Sequence, residues 1–545
     1  MPIGSTRRHR GLRAGVAALA FIAVLTGAGC ADPAGPAPSN PSRAVALNAD
    51  VVHTATGLVR GQVGPDHRLF QGIPYAAAPV GALRWRPPEP AAAWRGVRDA
   101  VKPGPWCIQP DVAPEDPISE DCLTLNVWTP AGSAAEPLPV MVWIHGGSFM
   151  RGSGDIYHSQ RLAVRGRVVV VTINYRLGAL GFLADPALGE PGNYGLADQQ
   201  AALRWVHENI AGFGGDPTKV TIAGESAGGM SVCDHLAAPY SAGLFRAAII
   251  QSGPCQTQVD APTAQRLSRE YTETLGCGPR DRSDRGVEAC LRALPADRLT
   301  EPLWYARFGN DRLSGPVVGV PTLPTDPVRV MTDGDAVRVP VLLGVTHDEF
   351  TLFEVLRSMR LGREIGAAEY PGLLAETFGA GDGTAVLEHY PASRYGGSSS
   401  QAYAAAATDD IFACLADRMA DALVRSAPAV YAYEFDDPHA PAPEIFREAP
   451  FPLGASHSLE IRYLFDVGGA PALDAAQRRL SDEMVEYWTG FVTTGTPAGV
   501  GQPDWPTVGT DPLNARWMSL RPNGSRVVTD FGAEHQCGFW AGLQR

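Results

Sequence analysis

The segment KVTIAGESAGGM, residues 219–230, carries the strongest sign of chemistry in the chain. A strand-like run passes through Ala223 into Gly224, Glu225, Ser226, Ala227 and Gly228, and a helix-compatible segment follows at 230–238. Between a strand and a helix, G-x-S-x-G puts the serine on a strained turn with its hydroxyl exposed, and the glycines leave room for neighbouring backbone and substrate. Ser226 is therefore the candidate nucleophile, against the plainer reading of a structural turn in a chain rich in small residues. A serine hydroxyl is a weak nucleophile without a base, and the base needs a third group to orient it. Of the 12 histidines, His457 stands in GASHSLEIRYLF, after a Gly-Ala-Ser loop and downstream of all but the C-terminal region. That position allows the chain order serine, acid, histidine. For the acid, VLLGVTHDEF places His347, Asp348 and Glu349 just after a buried-strand candidate, where loop ends carry catalytic groups in open sheets. The residues alone leave Asp348 and Glu349 both open.

The elements that must position these groups alternate in type. PVMVWIHGG at 139–147, VVVVTINYR at 168–176, AAIIQSG at 247–253 and VPVLLGVTHDE at 339–349 are apolar runs of the kind found in sheets covered on both faces. LADQQAALRWVHENI at 196–210 has apolar residues at helical spacing. Strands alternating with helices indicate an α/β sheet. GLVRGQV from Gly57 and RLFQGIPYA from Arg68 read as paired strands, and SEDCLTLNVWTP as a strand ended by Pro130. Segments 261–312 and 353–404 read as helices inserted over the sheet, and no internal repeat is present. At about 150 residues per domain, 545 residues would make three or four domains. One catalytic domain, 47–545, is expected instead, because a nucleophile, acid and base so far apart in sequence must still meet.

The chain is 45% apolar, enough for a large core, and its formal charge is −13 with an isoelectric point near 5.4. That balance speaks against a nucleic-acid partner, which needs clustered Lys and Arg, and no basic run occurs beyond the first fourteen residues. There, Arg7, Arg8, Arg10 and Arg13 precede an apolar stretch at 14–25, and Gly27, Ala28 and Gly29 lead to Cys30. Residues 1–29 read as an export signal, since the apolar stretch at 14–25 is too short to span a bilayer comfortably. A small-residue run ending in cysteine resembles a bacterial lipobox, so lipidation of Cys30 and ordinary signal cleavage are both open. Residues 30–46, mostly Pro, Ala, Gly and Ser, read as a disordered tether.

GESAGG around Ser226, EDCLTLNVWTP from Glu120, WIHGGSF from Trp143, the pair Asp348-Glu349 and GASHSLEIRYLF from Gly454 together resemble the type-B carboxylesterases, the family of cholinesterases and bacterial nitrobenzyl esterases. QGIPYA at Gln71, NYRLG at Asn174, GNYGLADQQ at Gly192 and WTGFVTTGTPA at Trp488 extend the resemblance, which runs from about residue 57 to 540. It implies an α/β-hydrolase fold: a large, mostly parallel central sheet flanked by helices, with helical insertions over the active site. It implies Ser226 as nucleophile, Glu349 as acid and His457 as base. It also implies an oxyanion hole built from the backbone N–H groups of Gly147, Ser148 and Ala227, since charge on a carbonyl oxygen needs preorganised donors. Ser148 stands where many relatives have Gly or Ala, and Phe350 where they have Gly beside the acid. Glu225 and Ser252 resemble supporting residues of the family site, and Arg84 with Glu120 and Arg176 with Asp198 resemble its structural ion pairs.

Eight of the nine cysteines follow Cys30, and such usage agrees with an oxidising compartment. The resemblance pairs Cys107 with Cys122, Cys277 with Cys290, and Cys414 with Cys537. Cys233 and Cys255 are left over, either as a fourth disulfide or as two buried thiols. No Cys or His pair shows metal-ligand spacing, so no metal or other cofactor is expected. The expected partner is a small-molecule ester, with membrane contact only through a lipid on Cys30 and the oligomeric state open. Two classes of function compete: an exported serine esterase working through an acyl-enzyme, and a non-catalytic cholinesterase-like adhesion protein. Such adhesion domains typically lack a triad residue, and all three are present here. In cholinesterases a tryptophan on the first disulfide loop holds the choline cation. Here that loop, 108–121, contains no aromatic residue, and Trp106 lies just before it, so no special affinity for choline esters is expected.

Overall fold

Unbroken apolar runs need cover on both sides, and the strands they form have two separate cores to enter. Along the run Val140 to Ile144 the side chains alternate: Val140, Val142 and Ile144 enter one core, while Met141 and Trp143 enter the other. The sheet is thus a wall between two apolar layers. The computed structural model describes residues 50–113, 116–132, 136–189, 192–278, 283–511 and 514–543. Residues 1–46, read from the sequence as an export signal and a tether, lie outside the described residues, and Cys30 with them.

The main sheet has eleven strands. In chain order they are β1 (Gln62–Val63), β2 (His67–Pro74), β3 (Thr124–Pro130), β4 (Leu138–Ile144), β5 (Val169–Ile173), β6 (Gly215–Glu225), β7 (Ala247–Gln251), β8 (Val341–Thr346), β9 (Val430–Phe435), β10 (Trp517–Leu520) and β11 (Arg526–Val528). Across the sheet they lie in the order β11-β10-β9-β8-β7-β6-β4-β5-β3-β2-β1. The pairs from β10 through to β5 are parallel, and those at the two margins are antiparallel. The sheet is therefore mixed, parallel in its middle. Parallel neighbours end on the same edge, so the loops after β4, β6, β7 and β8 converge there.

Five helices bear on the converging loops and their surroundings: α1 (Tyr194–Asn209), α2 (Ala227–Ala237), α3 (Thr351–Leu361), α4 (Ile461–Leu464) and α5 (Ala475–Thr494). The start of α5 is fixed by Asp474, whose carboxylate takes the Ala476 and Gln477 amides while the Gln477 side chain returns to the Asp474 amide. Its Leu480, Met484, Trp488 and Phe491 recur at helical spacing and fill the second core.

Two segments differ from the sequence reading. The run from Gly57 divides at Gly61: Gly57–Arg60 pairs with Val51–Thr54 and Val97–Asp99 in a small separate sheet, and only Gln62–Val63 joins β2. A side chain at Gly61 would collide with Phe70 and the Leu69 carbonyl, so the chain crosses between sheets at this residue. Within 261–312, read as helical, Ala306–Phe308 and Asp311–Leu313 form a hairpin. Gly309, at φ 57°, supplies the left-handed residue its two-residue turn needs. The apolar stretch after His457 forms only the single turn α4.

Four disulfides join Cys107 to Cys122, Cys233 to Cys255, Cys277 to Cys290 and Cys414 to Cys537. The two left-over cysteines are thus bonded, tying α2 to the loop after β7. Arg84 meets Glu120 through two bonds of 2.7 and 2.6 Å, and Arg176 meets Asp198 through two of 2.7 Å. Among the described residues, no helix is long and apolar enough to cross a membrane.

Candidate active site

β6 ends at Glu225 and α2 begins at Ala227, which leaves Ser226 alone on the turn with φ 57° and ψ −121°. A non-glycine residue held there stores strain of about 1–3 kcal/mol and must be over-determined by its surroundings. The Ser226 amide donates to the Gln251 carbonyl at 2.9 Å, and its own carbonyl accepts from Met230 at 2.9 Å. The flanking glycines are required by space. A Cβ on Gly228 would stand 2.0 Å from the Ile144 carbonyl oxygen, and one on Gly224 would stand 2.4 Å from that of Gly228.

β4 runs parallel beside β6, with Ile144 opposite Gly224, so the Gly-rich loop after β4 lands next to the serine. A Cβ placed on Gly146 would be 3.0 Å from the Ser226 Cβ. Gly147 has φ 103°, and Ser148 and Phe149 both take left-handed values, 57° and 58°. Two successive non-glycine residues in that region are costly, and they turn the loop sharply. Among the described residues no protein acceptor takes the amide hydrogens of Gly147, Ser148 or Ala227.

Glu349 follows β8 and is fully buried, and one of its oxygens accepts the Thr346 amide at 2.8 Å. Its other oxygen lies 2.5 Å from Nδ1 of His457. The neighbouring Asp348 does a different job. Its carboxylate accepts the Ala455 amide and its amide donates to the Ala455 carbonyl, both at 2.9 Å, so it ties the acid loop to the histidine loop. The two acids that the residues alone leave open are thereby separated by geometry.

On the far side of the imidazole, Nε2 lies 3.2 Å from Oε1 of Glu225, yet it is buried and makes no hydrogen bond. The same Glu225 oxygen accepts the Ser458 hydroxyl. Burial alone would depress the His457 pKa. The carboxylates of Glu225, Glu349 and Glu460 outweigh burial and raise it to about 9. Burial in turn raises the carboxyl pKa of Glu225, and pushes that of Glu460 to about 8 with help from the charges of Glu225 and Glu349.

Glu460 joins the site although the sequence reading gives it no role; it stands in the histidine motif GASHSLEIRYLF. It accepts from Gln251 Nε2 at 3.1 Å, and Gln251 Oε1 accepts from the Trp488 indole at 2.8 Å. The one signal in the sequence is a lone acid in the apolar run SLEIRYLF, three residues after the histidine. Also absent from the sequence reading are Phe353 on α3 and Phe412 in the π-helical turn Asp409–Ala413, whose rings pack 5.1 and 5.3 Å from the imidazole. Phe350 beside Glu349 is buried behind this pair, 5.0 Å from Phe353 and 5.6 Å from Phe308. Ser252, at φ 48°, follows β7 with its amide on the Gly344 carbonyl, and its buried hydroxyl has no partner. Among the described residues no cluster of His, Cys, Asp and Glu is arranged to hold a metal ion.

The chain's relatives carry the same chemistry in their names. It is 34% identical to the cocaine esterase of Homo sapiens over 503 residues, covering 87% of this chain and 86% of that one. It is 36% identical to the para-nitrobenzyl esterase of Bacillus subtilis (strain 168) over 471 residues, covering 82% and 90%. With the acylcarnitine hydrolase of Rattus norvegicus the identity is 35% over 493 residues, covering 84% and 85%. A solved structure of PNB esterase superposes with a TM-score of 0.77 at 32% identity, covering 90% of this chain and 100% of its own, and it shares the α/β-hydrolase fold. A profile described as the carboxylesterase family matches residues 48–540. The chain belongs to the carboxylesterase family and is a carboxylic ester hydrolase.

Proposed function

We propose that this enzyme is an exported serine esterase that hydrolyses small, neutral carboxylic esters through an acyl-enzyme, with Ser226 as nucleophile, His457 as base and Glu349 as orienting acid. The observation that carries the reading is the imidazole of His457. Its Nδ1 is held by Glu349 at 2.5 Å, while its unbonded Nε2 lies 3.2 Å from the carboxylate of Glu225, the residue before Ser226.

In the first half-reaction the Ser226 oxygen attacks the ester carbonyl carbon and its proton passes to His457 Nε2. The carbonyl π electrons move to oxygen, and the amides of Gly147, Ser148 and Ala227 receive the charge. One such donor is worth about 3 kcal/mol in comparable sites. Collapse of the tetrahedral species breaks the bond to the alcohol oxygen, which takes the proton from Nε2. Water then attacks the acyl carbon, giving its proton to Nε2, and Ser226 leaves with that proton while the carboxylic acid departs. Glu349 fixes the tautomer with the free lone pair on Nε2, and the Glu225 carboxylate stabilises the imidazolium that forms twice per turnover.

The Phe353 and Phe412 rings packed on the His457 imidazole make its surroundings apolar, which supports neutral acyl or alcohol groups. For export, the support is the leader at 1–29 and four disulfides in one chain. The proposed layout is leader, tether at 30–46 with Cys30 cleaved or lipidated, and catalytic domain at 47–545. A series of p-nitrophenyl esters of rising acyl length, assayed on the enzyme and on Ser226→Ala, tests the reading. Short and medium chains should be favoured, and the variant should fall to background. Equal rates for the two proteins would remove Ser226 from its role.

A further inference from the structure

A cleft of about 600 Å³ opens between β3, the helix Gln160–Gly166 and the chain after α4, and it shares no lining residue with the Ser226 site. Its floor is aromatic. Trp128 and Phe465 are 7% and 2% exposed, and the His67 and His158 rings flank Trp128 at centroid distances of 5.5 and 6.1 Å. Four arginines line it, Arg161, Arg165, Arg462 and Arg478, on a chain whose net charge is −13.

Two of the four are already neutralised. Asp482 meets Arg161 at 2.8 Å and Arg165 at 2.7 Å, and Glu486 meets Arg165 at 2.8 Å. The other two are held differently. Arg462 donates to the carbonyls of Gly468 and Ala470, Arg478 to that of Leu473, and among the described residues neither forms an ion pair. The Nε of Arg462 is buried with no hydrogen-bond partner. Carbonyls orient a guanidinium without cancelling its charge, and an unmet buried N–H is unfavourable. The acids that also line the cleft leave this charge in place: Asp66 is engaged by His67 at 2.7 Å and Gln160 at 3.1 Å, and Asp466 acts on Arg462 only at longer range.

We infer that this cleft binds a small organic carboxylate with an apolar, ring-bearing body. The carboxylate pairs with Arg462 and Arg478, for which planar bidentate geometry suits guanidinium, and the body lies on the wall made by Trp128 and Phe465. An inorganic anion would use the charge but not the wall.

Calorimetric titration of the full-length enzyme with benzoate, benzamide and inorganic phosphate tests this, alongside an Arg462→Gln/Arg478→Gln variant. Benzoate should bind saturably to the enzyme, and the double variant should weaken it about tenfold or more, equivalent to about 1.4 kcal/mol, with kcat/KM for p-nitrophenyl acetate within about twofold of the parent. Benzamide, which lacks the charge, should bind about tenfold more weakly than benzoate. No saturable benzoate binding, or equal benzoate affinity in the double variant, overturns the site. Phosphate binding as tightly as benzoate overturns the ligand class. Should thermal melting show the double variant unfolded, Arg478→Gln alone serves, since that residue is exposed; benzoate affinity unchanged in it overturns the proposal equally.

Discussion

His457 Nε2 stands 3.2 Å from the carboxylate of Glu225, the residue immediately before Ser226, without a hydrogen bond between them. The contact is electrostatic, and among the charges that raise the pKa of His457 toward 9 that of Glu225 is the largest. A base must be neutral to take the serine proton, so kcat/KM should rise with pH through this ionisation.

The first prediction concerns that limb. Glu225→Gln removes a negative charge beside the imidazole, which destabilises the imidazolium and lowers the pKa of His457. The acid limb of the kcat/KM profile should move to lower pH, while the plateau falls because the transition-state cation loses the same support. A limb that stays put, measured with an uncharged p-nitrophenyl ester, would show that Glu225 does not act on His457.

Glu349→Gln should lower turnover roughly 10³- to 10⁴-fold, because an amide does not hold the imidazole in the required tautomer or stabilise its cation. Asp348→Asn should cost far less in kcat, since Asp348 ties two loops together. The two rates, measured side by side on folded proteins, decide which carboxylate is the acid.

Legibility in the sequence depends on whether a signal is local. The turn at Ser226 lies in one pentapeptide, and the order of serine, acid and histidine follows from position along the chain. The convergence of their loops follows from parallel strands, and the α/β class is readable from apolar runs alternating with helical spacing, the hydrolase fold itself from the family motifs. Choosing Glu349 over Asp348 is not, because both follow the same strand; in the sequence that choice rests on the family resemblance, and in the structure on packing against the loop at Ala455. Glu460, Gln251 and Trp488 come together from three distant segments, and Phe412 reaches His457 through a π-helical turn with no sequence period of its own. The division at Gly61 is hidden for a similar reason: one alternating run serves two sheets.

A second cluster makes a prediction about stability. The buried imidazole of His535 lies 2.5 Å from Asp409 and 2.8 Å from Glu434. Burial opposes its charge, but these carboxylates prevail and raise its pKa to about 10 from 6.5. A pKa raised on folding adds stability that is full below about pH 6.5 and is lost as pH climbs through 10. The melting temperature should therefore fall between pH 7 and 10, and His535→Gln should start lower and fall less steeply. Parallel curves for the two proteins would contradict the linkage.

Arg176 and Asp198 are both buried. Asp198→Ala leaves the guanidinium without its partner and should cost about 3–5 kcal/mol. Denaturant unfolding measures the loss, and a change below about 1 kcal/mol would mean water or another acid replaces the carboxylate.

Choline esters offer a test of specificity. With no aromatic residue in loop 108–121, butyrylthiocholine should gain less than about tenfold in kcat/KM over an uncharged butyryl thioester. A larger preference would reveal a cation site elsewhere in the pocket.

Covalent chemistry at Ser226 is tested most directly by mass spectrometry of enzyme quenched during turnover of p-nitrophenyl butyrate. A butyryl group should appear on the peptide carrying Ser226, be absent from Ser226→Ala, and accumulate in His457→Ala only very slowly. An acyl group on another residue, or steady turnover by Ser226→Ala with no adduct, would contradict the acyl-enzyme mechanism.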